Sequence, residues 1–218
     1  MIDNQRFEFI YCANNPGLCQ ESLQYLTKLK IPDGFTVGNI ISENAASIAE
    51  GYQQALLKSN AKYKIYLHQD VNILNENFLH DIAALFKNHP QLGLLGVLGA
   101  KRLPPNGVWW DAAQQYGKVY YFGQLNTCNT EVCGDYESVQ TIDGMMMITQ
   151  YDLPWRVDRF TGWHFYDASH SLEFLKAGYT VGVARQTEPW CAHNSSSPML
   201  SFIIYQQVFC DIYKPFLT

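Results

Sequence analysis

Tyr63-Lys64-Ile65-Tyr66-Leu67-His68-Gln69-Asp70 decides how the chain is read: a strand-like apolar run stops at three polar residues able to grip a cation. His68 and Asp70 share one side of the chain if the extended geometry persists, because side chains alternate across a strand. Far downstream, Asp167 and His193 lie in two further motif-like segments. Metal, carboxylate and imidazole in one set suggest chemistry on a phosphate-bearing substrate.

Outward from this stretch, a strand-then-helix unit recurs. Phe7 to Cys12 is an apolar run broken by Asn14-Asn15-Pro16-Gly17, and Leu23, Leu26 and Leu29 follow at near-helical spacing. Phe35 to Ile41 predicts a second strand. Ile48, Tyr52, Ala55 and Leu56 then mark one face of a helix ending near Ser59. After the third strand, Asn75 is the expected N-cap of a helix carrying Phe78, Ile82, Leu85 and Phe86 on one face, and Leu92 to Leu98 is a fourth strand. Such alternation predicts an α/β fold with a mostly parallel sheet covered on both faces. Ligands of these sheets gather beyond the carboxyl ends of the strands, where Asn14, Glu43 and Asp70 fall.

The rhythm changes after Pro104-Pro105-Asn106-Gly107. Short segments at Val108 to Trp110, Val119 to Phe122, Val139 to Ile142 and Met145 to Thr149 predict mixed or antiparallel strands. A helix returns with Phe165, Ala168, Leu172 and Leu175, and Gly178 stands where a left-handed terminus belongs. Tyr179 to Ala184 is another strand. Pro198 is expected to open a last helix through Phe209, covering the core or a partner subunit. Oligomeric state is left open, a homo-oligomer included.

The 218 residues, 47% hydrophobic and 14% aromatic, suffice for one large domain, and 16% charged residues leave little room for disordered tails. A net charge of -5 and a pI near 5.6 argue against nucleic acid, whose phosphates need a basic stripe. The longest apolar stretch, Leu92 to Ala100, is too short to cross a bilayer, and Met1-Ile2-Asp3-Asn4 lacks a basic flank before an apolar core. A cytoplasmic location is the expectation. Cys12, Cys19, Cys128, Cys133, Cys191 and Cys210 contain no CxxC unit, so neither a zinc ribbon nor a disulfide framework is signalled. Reduced thiols are expected, although Cys128 and Cys133 bracket one polar loop.

Asp70 alone also fits a turn or N-cap aspartate. Asp167 begins a predicted helix, where the dipole favours a carboxylate, so it fits a first-turn stabiliser as well as a catalyst. Its neighbours Trp163, Phe165 and Tyr166 suit the floor of a sugar site or the core. His193 follows Trp190-Cys191-Ala192 and precedes Asn194 to Ser197, a small polar run able to close over a ligand.

The ordered segments resemble a glycosyltransferase of the GT-A fold, family 2 type, in particular the streptomycin-biosynthesis StrF-like branch. The resemblance runs from Phe7 to about His193. It rests on Phe9-Ile10-Tyr11-Cys12-Ala13-Asn14-Asn15, Tyr66-Leu67-His68-Gln69-Asp70-Val71, Ile142-Asp143-Gly144, Gly162-Trp163-His164-Phe165-Tyr166-Asp167 and Ala177-Gly178-Tyr179. It implies a single domain over residues 1–218 with a Rossmann-like mixed sheet and a small antiparallel extension on the acceptor side. Residues 1–100 would form the nucleotide half and 101–218 the acceptor half. The implied activity moves a sugar from a nucleotide-diphosphate donor to an acceptor hydroxyl, inverting the anomeric centre.

By the same resemblance, Ala13, Asn14, Asn15, Glu43 and Gln69 lie near the nucleotide, and Asp70, His193 and His68 near the metal and diphosphate. Asp167 is the catalytic base, and Asp143, Gly144, Trp163 and Trp109 border the acceptor, with Trp110 a further stacking candidate. Most relatives carry Asp-x-Asp where His68-Gln69-Asp70 stands, and imidazole suits Mn2+ better than Mg2+, the second choice. Two histidines and one carboxylate also fit a non-haem Fe(II) oxygenase. That chemistry usually occupies an all-strand jelly roll, unlike the helices predicted here. A non-catalytic nucleotide-sugar or carbohydrate binder is another alternative. A sugar nucleotidyltransferase is disfavoured because Ala13 to Gly17 lacks a basic, Gly-rich triphosphate loop.

Overall fold

The computed structural model describes residues 1–194, 199 and 201–218. Its first half follows the predicted alternation: β1 (Asp3–Ala13), α1 (Pro16–Leu26), β2 (Thr36–Glu43), α2 (Ile48–Lys58), β3 (Ala61–Leu67), β4 (Val71–Ile73), α3 (Phe78–Asn88), β5 (Leu92–Gly96) and β6 (Leu98–Ala100). The second half contains β7 (Gln115–Tyr121), β8 (Gln124–Thr127), β9 (Tyr136–Val139), β10 (Thr141–Ile142), β11 (Met146–Thr149), α4 (Tyr166–Lys176), β12 (Thr180–Ala184), β13 (Cys191–His193) and α5 (Phe202–Tyr213).

The main sheet runs β2-β1-β3-β11-β5-β12-β9. β2, β1 and β3 are parallel, as are β5 and β12, whereas β11 is antiparallel to both of its neighbours and β9 is antiparallel to β12. The period-2 pattern explains its two faces: Phe7, Phe9 and Tyr11 of β1 enter one core, and Ile10 enters the other. The first core also takes Phe78, Ile82 and Phe86 of α3; the second takes Tyr52 and Ala55 of α2, Leu172 and Phe174 of α4, and Phe209 of α5. A fully buried Phe or Ile contributes about 1.5–3 kcal/mol, so these facing rows outweigh the weak intrinsic preference of any one helix. The second sheet orders β10-β6-β7-β13-β4, with β8 on β7.

Several expected boundaries move. Leu92 to Leu98 is two strands in different sheets, and Val139 to Ile142 likewise divides into β9 and β10. Val108 to Trp110 is not a strand: Asn106 Oδ1 accepts from Val108 N at 3.0 Å, and a 3-10 turn covers Trp109–Asp111. Met145 to Thr149 is the expected antiparallel strand, β11, and it lies in the middle of the main sheet. The cap of α3 is Asn77 rather than Asn75, whose side chain accepts from Asn77 N and donates to Asp81 Oδ2. Gly178 has the expected left-handed conformation, φ +86°. Pro198 lies outside the described residues, as do 195–197 of the small polar run; α5 begins at Phe202 and continues beyond Phe209.

Candidate active site

Two turns leave adjacent strands at the same end of the main sheet. β3 stops at Leu67, opposite Met146 of β11, and His68 N donates to Met145 O at 3.0 Å. His68-Gln69-Asp70 is itself a tight turn, closed by Val71 N on His68 O at 3.2 Å. The expected extended geometry therefore does not persist; the turn brings His68 and Asp70 together. β13 then pairs with β4, setting His193 opposite Val71, and His193 Nε2 lies 3.3 Å from Asp70 Oδ1.

One ligand atom from each of His68, Asp70 and His193 lies within 4.8 Å of the others. Two nitrogens and one oxygen so arranged are a donor set for a divalent transition metal. The His68 and His193 rings are 5.5 Å apart, and Tyr121 stands edge-on to His193 at 5.6 Å. Burial, reinforced by His193, pushes His68 down to about 4 against the opposing pull of Asp70 and Asp143. Its imidazole is therefore neutral at pH 7, the form that ligates. Tyr166 Oη pairs with His68 Nε2 at 2.5 Å, an outer partner that fixes the ring's orientation.

The carboxylate side is assembled by the second turn and by α4. Phe165 caps α4 in the left-handed region at φ +60°, held by its ring against Phe202 and Phe209 at 5.0 and 5.1 Å. Tyr166 and Asp167 follow in the first turn. Asp167 Oδ2 accepts from Gly144 N at 3.0 Å, and Asp143 Oδ1 accepts from Met145 N at 2.7 Å. Any Cβ at position 144 would overlap the Tyr166 hydroxyl, which explains the glycine. Burial first, then Asp143, raise Asp167 to about 7, while N–H groups of Ala168, Asp167 and Gly144 pull it down. A carboxylate poised near neutrality is suited to accepting a proton.

A cavity of about 410 Å³ joins the two sides, lined by His68, His193, Asp143, Asp167, Trp109 and Trp163 among others. Gly144 lines it too, so all four predicted acceptor residues meet the predicted base and both histidines. A second cavity, of about 280 Å³, brings together Ala13, Asn14 and Glu43 at the ends of β1 and β2. Gln69 ties this loop to the His68 turn: its Oε1 accepts from Asn14 N and Asn15 N at 2.9 and 2.8 Å, and its Nε2 donates to Asn14 Oδ1 at 2.8 Å. Asn15 commits its carboxamide to capping α1, accepting from Gly17 N and Leu18 N. The sequence reading overlooked Tyr166 as a partner of His68, although it adjoins Asp167. It also overlooked Tyr121 and Asn126, which reach the first cavity from β7 and β8, two strands joined by a tight turn at Phe122-Gly123 whose glycine is the local signal.

Among the described residues no helix is long and apolar enough to cross a membrane. No curated protein matches the chain in sequence. Its fold is similar to that of TarS 1–349 of S. aureus in complex with UDP, at 12% identity and a TM-score of 0.58, covering 94% of this chain and 64% of that one. Full TarS of S. aureus matches at 13% identity and a TM-score of 0.63, covering 95% and 39%. The mannosyltransferase PcManGT from Pyrobaculum calidifontis, in complex with GDP-Man and Mn2+, matches at 11% identity and 0.57, covering 96% and 64%. The chain thus spans less than two thirds of each of these proteins, and the shared architecture is the GT-A fold. A sequence model described as "glycosyltransferase like family" matches residues 8–212, nearly the whole chain, and the chain belongs to that family.

Proposed function

We propose that the chain is a glycosyltransferase that moves a sugar from a nucleotide-diphosphate donor to an acceptor hydroxyl, with inversion and with help from a divalent metal. The observation that carries this reading is that Asp167, raised to about 7, shares one cavity with His68 and His193 of the His68, Asp70 and His193 cluster. The neighbours crystallised with UDP or with GDP-Man and Mn2+ support a nucleotide-sugar donor. Ala13, Asn14, Glu43 and Gln69 are the proposed nucleotide side, and Asn15 shapes that loop as a helix cap. The finer likeness to the StrF-like branch rests on the motif segments alone.

The compact donor set of two imidazoles and one carboxylate fits a metal, and Mn2+ suits it better than Mg2+. Such a cation, when bound, offsets charge growing on the departing diphosphate. The chain's own residues do the rest. Asp167 takes the acceptor proton as the hydroxyl oxygen bonds to the anomeric carbon and the bond from that carbon to the diphosphate oxygen breaks. Attack opposite the leaving group inverts the centre. Asp143 raises the basicity of Asp167, and Gly144 N steers its carboxylate. Residues 1–100 and 101–218 act as donor and acceptor halves of one domain. A cytoplasmic setting is consistent with the six free thiols.

The test is Asp167→Asn: donor binding stays near normal while transfer falls by at least about 10²-fold. Unchanged turnover would remove Asp167 as the base. The same cluster chemistry would suit an Fe(II) oxygenase, but the family membership and the α/β sheet favour transfer.

A further inference from the structure

The first cavity combines an acidic floor with an apolar rim, and together these limit what can dock there. Among the described residues that line it, the titratable side chains are His68, Tyr121, Asp143, His164, Tyr166, Asp167 and His193; none is lysine or arginine. A phosphorylated or carboxylated acceptor would meet Asp143 and Asp167 with no countercharge of the chain's own. An ammonium group beside Asp167 would favour the ionised carboxylate and so weaken the base. The charge pattern therefore suits an uncharged acceptor.

The rim adds a second requirement. Trp110, Trp163 and Met199 line the cavity yet remain 48%, 43% and 57% exposed, and Phe202 at the start of α5 closes the row, 5.7 Å from Trp110. Large apolar side chains grouped at the mouth of a pocket, rather than scattered singly, mark a surface that is covered when ligand binds. This rim is continuous with the cavity holding Asp167, so one molecule can occupy both. A plain sugar would leave the rim wet; one with an apolar group beyond its ring would cover it.

Building on the transfer reading above, we propose that the acceptor is an uncharged glycoside with an apolar aglycone. Its sugar hydroxyl lies at Asp167, and its aglycone lies across Trp110, Trp163 and Phe202. Each methylene buried on the rim is worth about fourfold in binding, so coverage of two or more gives about tenfold or better.

The experiment compares methyl and octyl glycosides of the same hexoses, the octyl forms at submicellar concentration, with the matching sugar phosphates and amino sugars. Each is supplied with a UDP- or GDP-sugar and Mn2+. The expected result is a kcat/KM at least about tenfold higher for octyl than for methyl glycosides, chiefly through KM, with the charged acceptors poorer than both. Trp110→Ala and Phe202→Ala each reduce the octyl-to-methyl ratio to about two or less. Because the ratio is internal to one protein, it is insensitive to how much of a variant is folded. Equal use of methyl and octyl glycosides, or a preference for phosphorylated or amino sugars, overturns the proposal while leaving transfer standing. Donor binding with neither hydrolysis nor transfer to any acceptor instead overturns the transferase reading, and this proposal with it.

Discussion

On the proposed reading, catalysis and stability pull in opposite directions at Asp167. The folded chain holds the proton to about 7, against the ordinary 3.8, so between these values the folded state binds more protons than the unfolded one. The contribution of Asp167 to stability is therefore fullest below pH 4 and is lost as pH rises through 7, while the proposed general-base activity rises over the upper part of that window. Asp167→Asn, which keeps an acceptor for Gly144 N, is expected to raise the Tm at pH 8 by about 2–6 °C, from about 1–2 kcal/mol, and to leave it unchanged near pH 4. Thermal melts at the two pH values check this, and an equal shift at both would contradict the buried-charge explanation. On the same reading, kcat/KM of the unmodified protein should climb with a single-proton slope centred near pH 7. Tyr166→Phe removes the partner of His68 and should weaken Mn2+ binding about tenfold by calorimetry. Undiminished affinity would reduce Tyr166 to packing.

At the level of elements, two connections do most of the positioning. Phe165→Gly would relieve a left-handed backbone costing about 1–3 kcal/mol, but it deletes a ring packed on Phe202 and Phe209, a loss of about 3–5 kcal/mol. Packing wins, so denaturant melts should show net destabilisation of about 1–3 kcal/mol. Gln69→Ala removes three hydrogen bonds between the His68 turn and the Asn14 loop, each worth about 1 kcal/mol net. The donor KM should rise about five- to tenfold with a smaller change in kcat; a loss confined to kcat would assign Gln69 to the chemistry instead. Helices were the most legible elements, because the rows Phe78, Ile82, Leu85, Phe86 and Ile48, Tyr52, Ala55, Leu56 carry a period of their own. After residue 104 the segments from Val119, Val139, Met145 and Tyr179 were legible as strands, whereas β8 and β13 were not. Pairing of β7 with β8 is local, through the Phe122-Gly123 turn, whereas insertion of β11 between β3 and β5 depends on contacts remote in sequence that no local periodicity encodes.

Over the whole molecule, the proposed metal cluster draws on both halves: His68 and Asp70 come from the β3–β4 turn, and His193 from β13, more than a hundred residues later. Stabilisation by a nucleotide-diphosphate sugar in thermal melts should therefore vanish in EDTA and return with Mn2+. A shift indifferent to both would refute the cation's role. Residue types at His68, Asp70, Asp167 and His193 announced this site, but its closure required the sheet order. The pairing of Leu67 with Met146 has a practical corollary for redesign. The interval between Asp167 and the His68 turn is set by a ladder of main-chain bonds, so substitutions along 63–67 and 146–149 can be accommodated without loss of register, at a cost in core packing. Adding or deleting one residue in either strand cannot: it turns every later side chain to the opposite face and slides the two turns out of step. Length variation belongs in the loops between strands, such as 128–135 between β8 and β9, which lie outside that ladder.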